Sequence, residues 1–129
     1  MYPIVVIGGC HTAGFDKNLW EGINYFTIEC LSWVYARKIN GGGIATIGNT
    51  ALEYGIGGKD FINAYGGFLE ARFFEVYGNG TDTLGEIWAE EIKMYVDALP
   101  ARNDMLHCKA VENWILLGDP SLKIGGYGK

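Results

Sequence analysis

Four β-branched residues, Ile4-Val5-Val6-Ile7, run straight into Gly8-Gly9 and then Cys10-His11-Thr12-Ala13-Gly14-Phe15. An unbroken apolar run of this length, ended by two glycines, predicts a strand buried on both faces. Such strands belong to parallel sheets covered by helices. A parallel strand also needs a long crossover to its neighbour, so a helix must follow before the next strand. In open α/β sheets ligands bind beyond the carboxyl ends of the strands, and here that position carries a thiol on a glycine-loosened turn. Cys10 is therefore a candidate nucleophile; the alternative for any free cysteine is packing as a small hydrophobe. His11 adjoins it, but neighbours in an extended segment point to opposite sides, so adjacency alone does not make a nucleophile–base pair.

The rest of the chain supplies the crossover. From about Tyr25 to Ile39, Ile28, Leu31, Val34 and Tyr35 recur at helical spacing. Thr27 is a suitable N-cap, and Arg37 and Lys38 fall in the last turn, where cations suit the helix dipole. Gly41-Gly42-Gly43 stops this helix, and Ile44-Ala45-Thr46-Ile47-Gly48 predicts a second strand. Strand, helix, strand is a βαβ unit with parallel strands and a right-handed crossover. The loop from Asn49 to Gly58 then leaves the sheet at the same rim as Cys10. Thr50, Glu53 and Tyr54 on it are candidate pocket residues, with loop packing or plain solvation as the alternative for each.

Further on, a helix is predicted over Lys59–Val76, weakened by Gly66-Gly67. A second runs over Leu84–Leu99, with Thr81 or Thr83 opening it and Leu84, Trp88, Ile92, Tyr95 and Leu99 as its apolar stripe; Pro100 ends it. Asp104 can cap a last helix reaching to about Leu117, stopped by Gly118. Asp119-Pro120-Ser121 reads as a turn, with Asp119 as an orienter of a catalytic group the alternative, and Leu122-Lys123-Ile124 as a short edge strand. Three or more helices against two clear strands leave the sheet short. Residues 1–129 are thus expected to be a single partial domain, the C-terminal half of a larger α/β fold.

Composition narrows the partners. The chain has 129 residues and a formal net charge of −5, which argues against nucleic acid or an anionic membrane surface as the main partner. No apolar stretch is long enough to span a bilayer, and Met1-Tyr2-Pro3-Ile4 lacks a signal peptide's basic start. Cysteines 10, 30 and 108 show no zinc-ligand spacing. No phosphate-cradling Gly-rich motif is present, and Asp60, Glu70 and Glu75 do not have calcium-loop spacing. No metal and no cofactor are expected.

The segment Tyr2-Pro3-Ile4 to Phe15 resembles the nucleophile segment of the gingipain-type cysteine peptidases, peptidase family C25. Three further stretches agree in order. They are Trp33–Lys38 with Gly43–Thr50, then Gly66-Gly67-Phe68-Leu69, and finally Trp114-Ile115-Leu116-Leu117-Gly118-Asp119-Pro120-Ser121-Leu122, the most specific match. The resemblance implies a caspase-like fold: a parallel-rich sheet flanked by helices, with a Cys–His dyad at the strand ends. It implies Cys10 as nucleophile, backbone N–H groups of Cys10 and Gly9 in an oxyanion hole, and an exported peptidase acting on peptide or protein substrates. The family's base lies in a His-Gly motif on the preceding strand, and neither histidine here matches it. A thiol without a base stays mostly protonated at neutral pH, so the isolated chain is expected to be inactive.

His11 keeps two readings, a substitute base or a cleft-wall residue that touches substrate. Two other classes of function also remain open. One is a non-catalytic caspase-like module that self-associates through an open sheet edge, forming a homo-oligomer. The other is a thiol-dependent small-molecule enzyme. Selective alkylation of Cys10 over Cys30 and Cys108 separates the two chemistries from the module.

Overall fold

A computed structural model describes residues 3–15 and 29–126. The first strand, β1 (Ile4–Ile7), lies where the sequence places it. It pairs in parallel with β2 (Ala45–Asn49), in the register Ile4 opposite Ala45 through Ile7 opposite Gly48. Between them the described part of the crossover is α1 (Leu31–Arg37), preceded by Cys30 at the cap position. The expected start at Tyr25, and Thr27 as its cap, lie outside the described residues.

The third strand corrects the sequence reading. Asp104 does cap α4 (Met105–Asn113), its Oδ1 accepting from the N–H groups of Leu106 and His107 at 2.8 and 3.3 Å. The helix stops at Asn113, and Trp114–Gly118 forms β3, antiparallel to β2 with Asn49 opposite Trp114 and Ala45 opposite Gly118. Four consecutive apolar residues satisfy either period, and here the tertiary partner decides: β2 offers an unpaired edge that a helix could not use. The sheet order is β1-β2-β3, so the sheet is mixed, with one parallel and one antiparallel pair, where a parallel-rich sheet was expected.

The sheet alternates as a two-faced layer. Ile4, Val6, Ala45, Ile47, Trp114 and Leu116 point into a core closed by α2 (Tyr65–Gly78), α3 (Leu84–Ala98) and α4. On the other face the Thr46 hydroxyl donates to the Ser32 carbonyl of α1 at 3.3 Å. The helix expected over Lys59–Val76 is split: a 3₁₀ helix, Gly58–Asn63, precedes α2. The break falls at Tyr65, whose φ of 55° is left-handed and costly for a bulky residue.

The closing Asp119-Pro120-Ser121-Leu122 segment is a turn, as expected, and it caps a helix. Asp119 Oδ1 accepts from Ser121 N and Oγ at 2.9 and 2.7 Å, which holds its carboxyl below the usual range. The turn's carbonyls then receive the first N–H groups of α3: Leu84 N donates to Leu122 O and Gly85 N to Pro120 O, at 2.9 and 2.8 Å. Thr83 makes no side-chain cap, so these bonds do that work. Gly85 allows the approach, since a Cβ there would lie 2.8 Å from Pro120 Cβ. Leu122–Ile124 is accordingly not a sheet strand; only a single bridge joins Thr83 and Lys123.

Among the described residues one acid lies in the core. Glu91 of α3 is 0 % exposed, and its Oε1 accepts from Trp114 Nε1 at 2.7 Å. Burial pushes its carboxyl up to about 8, the Trp114 bond pulling less strongly the other way. The folded chain therefore binds a proton that the unfolded chain releases near the ordinary value of 4.5. Stability is full below that value and falls as pH rises to about 8, by up to about 1.4 kcal/mol per pH unit. Glu91→Gln keeps an acceptor for the indole and is expected to flatten this slope, read as urea midpoints across the range. An unchanged slope would mean that Glu91 is ionised in the fold.

Candidate active site

The carboxyl ends of β1 and β2 lie side by side, and the loops leaving them are bonded together. His11 N donates to Ala51 O and Ala13 N to Asn49 O, both at 2.8 Å. The Thr12 hydroxyl donates to the carbonyls of Ile7 and Gly9 at 3.1 and 3.2 Å and accepts from Asn49 N at 3.1 Å. This ties the turn after β1 to the end of β2. Gly9 takes φ of 105°, which only glycine adopts freely.

On this turn Cys10 is exposed. Its sulfur accepts from Glu53 N at 3.4 Å, and the Glu53 carbonyl lies 3.7 Å away as an acceptor for the thiol proton. The sulfur opens onto a shallow cleft of about 250 Å³ lined by Cys10, Glu53, Tyr54, Phe61, Gly67 and Glu70. Of the residues singled out from sequence, Cys10, Glu53 and Tyr54 thus come together. Thr50 and His11 meet each other instead: His11 Nδ1 lies 3.4 Å from Thr50 O, and the Thr50 hydroxyl donates to Asn113 Oδ1 at 3.4 Å. Neither is among the residues lining this cleft.

Gly9 has a partner that the sequence did not suggest. Its N–H donates to the Glu53 carboxylate, at Oε2. Glu53 in turn is hydrogen-bonded to Glu70 of α2. Desolvation raises both carboxyls above their ordinary range. For Glu53 the Gly9 N–H opposes the rise, and for Glu70 the charge of Glu53 adds to it. Glu70 was weighed in the sequence only as a helix acid without calcium spacing.

The second histidine is held elsewhere. The Tyr95 hydroxyl accepts from Tyr65 N at 3.2 Å and is hydrogen-bonded to His107 Nδ1 at 2.8 Å. The His107 ring also stacks on Tyr65, centroids 4.6 Å apart. This network fixes the left-handed start of α2. No cluster of three or more metal-ligating side chains occurs among the described residues, and no described helix is long and apolar enough to cross a membrane.

An exposed thiol on a strand-end turn, beside a loop that lines a cleft, is placed where a bound ligand could reach it. Residues 1–125 match the family model for peptidase family C25, and the chain belongs to that family, which is one of cysteine peptidases. No curated protein and no solved structure shows a match to the chain.

Proposed function

We propose that this chain is the nucleophile-bearing part of a gingipain-like, caspase-like endopeptidase, with Cys10 as its catalytic thiol. The observation that carries this reading is the exposed Cys10 sulfur at the rim of the sheet, facing a cleft, in a member of a cysteine peptidase family. The thiolate adds to the substrate's peptide carbonyl carbon, and the Cys10 N–H stabilises the oxyanion. Collapse breaks the C–N bond, the base returns its proton to the leaving amine, and water then hydrolyses the thioester. The Gly9 N–H joins the oxyanion hole only when the Glu53 carboxylate leaves it.

The base is assigned to a histidine on a further strand beside β1. Three features support this. β1 is an edge of the described sheet. Its Ile4 and Val6 side chains, with Ile44, Phe74 and Tyr77, wall an apolar hollow of about 380 Å³ that a further strand's side chains could fill. His107 is committed to Tyr95 and Tyr65. On this reading the partner is a peptide or protein substrate, the compartment is outside the cytoplasm, and the 129-residue chain alone does not turn over Arg or Lys esters. Burst-free assays with the purified chain test it; turnover that disappears in Cys10→Ala would show that the base is internal.

The open edges of β1 and β3 favour one other reading, a non-catalytic module that self-associates by strand pairing. Sedimentation of a dimer together with an inert Cys10 supports that reading over the first.

A further inference from the structure

We infer that the Glu53 side chain is a built-in latch: its carboxyl group sits on the Gly9 N–H in place of a substrate's carbonyl oxygen, and the site works only once that group has been displaced. This deepens the reading of Cys10 as nucleophile and of the Gly9 N–H as an oxyanion donor, and it rests on that reading.

Glu53 meets the Cys10 turn at three points. Its N–H donates to the Cys10 sulfur at 3.4 Å, its carbonyl lies 3.7 Å from the same sulfur, and its Oε2 accepts from Gly9 N. The first two are backbone contacts, and the backbone is pinned on both sides of Glu53. His11 N donates to Ala51 O at 2.8 Å, and Gly66 N donates to Tyr54 O at 3.4 Å. The side chain, by contrast, turns about its own single bonds. It can leave Gly9 while the Glu53 N–H stays on the sulfur, so opening the latch keeps the thiol in place and frees one donor. An oxyanion draws its stabilisation from donors already aimed at it. With Glu53 seated, the Gly9 donor is taken.

The seat for this carboxyl group is made by a missing side chain. Gly66 lies in the first turn of α2, and a Cβ there would overlap Oε1 and Cδ of Glu53. Gly66 is not among the glycines with positive φ, so its backbone conformation does not call for glycine. Alanine would also suit a helix better. What the position accommodates is the carboxyl group. The hold needs an acceptor oxygen and not a charge, since a protonated carboxyl keeps one.

The test compares two reagents on Cys10 at about pH 9, where an ordinary thiol ionises without a neighbouring base. Iodoacetamide needs only the thiolate. A peptidyl acyloxymethyl ketone also sets a carbonyl oxygen where the donors point, before the sulfur bonds to its methylene carbon and the carboxylate leaves. The quotient of the two rates at Cys10, resolved from Cys30 and Cys108 by mass spectrometry, reads donor availability and cancels thiol reactivity. Glu53→Ala removes the latch, and Gly66→Ala expels it with the acid still present. Each should raise the quotient by about tenfold, the worth of one hydrogen bond to a charged group. A quotient unchanged in either variant would overturn the inference. Hydrogen exchange of the Gly9 amide in the wild-type chain guards against variants that fail to fold: it should be slowed, and exchange at a free amide's rate would overturn the inference as well. A Cys10 that takes iodoacetamide but never the ketone, in all three proteins, would instead contradict the peptidase reading on which the inference rests.

Discussion

Cys10→Ala is expected to lower peptide-bond cleavage by about 10⁴-fold or more in the form of the protein that carries the base. On the proposed reading the Cys10 sulfur bonds to the substrate carbonyl, and the other described groups lining the cleft, carboxyls, a phenol, a phenyl ring and backbone, do not replace a thiolate. The fold should be untouched, because Cys10 is exposed and its hydrogen bonds are long ones to sulfur. Matching thermal unfolding of the two proteins, with activity lost in one, gives this result its meaning. Retained cleavage in Cys10→Ala would move the nucleophile elsewhere.

Trp114→Ala should be the most damaging single change to the fold. The indole is 1 % exposed at the junction of α4 and β3 and belongs to the central core. Removing a buried Trp side chain costs about 3–5 kcal/mol. Loss of the Nε1 donor also leaves the buried Glu91 carboxyl without its partner, which adds about 1–3 kcal/mol. A small domain has only about 5–15 kcal/mol in total, so the variant should be largely unfolded at room temperature. Trp114→Phe narrows the two contributions, since it keeps an aromatic ring in the core but loses the donor and part of the ring volume. Urea unfolding followed by circular dichroism measures both. A Trp114→Ala loss below about 2 kcal/mol would mean that the core closes over the gap.

β1, the parallel pairing with β2, α3 and the Asp119 turn were legible because each rests on a local pattern with one physical solution. A β-branched run ending in glycines has few alternatives, and neither does a helical stripe closed by proline. Trp114–Leu117 was misread because an apolar run carries no period of its own; the vacant edge of β2 made it a strand. The helix over Lys59–Val76 was read as one piece because nothing local reveals that the Tyr65 N–H is held by Tyr95, 30 residues away.

The site divides in the same way. Cys10 was visible as a thiol after a strand, and Glu53 and Tyr54 as residues on the loop sharing its rim. Glu70 was not, because what recruits it is empty space. Gly8 and Gly66 read as loosening a turn and weakening a helix, whereas in the fold each leaves room for a carboxylate from another element. An unexplained glycine pair on each side of a cleft is the signal that could have found it.

The most direct measurement is covalent capture by a peptidyl acyloxymethyl ketone, which alkylates a thiolate placed at a substrate carbonyl. On the proposed reading it is done on a preparation that also supplies the histidine base, followed by peptide mapping. A single adduct on Cys10, blocked by competing peptide and absent from Cys30 and Cys108, is the predicted result. An adduct spread over the three cysteines, or none in a preparation that cleaves peptides, would contradict Cys10 as the nucleophile.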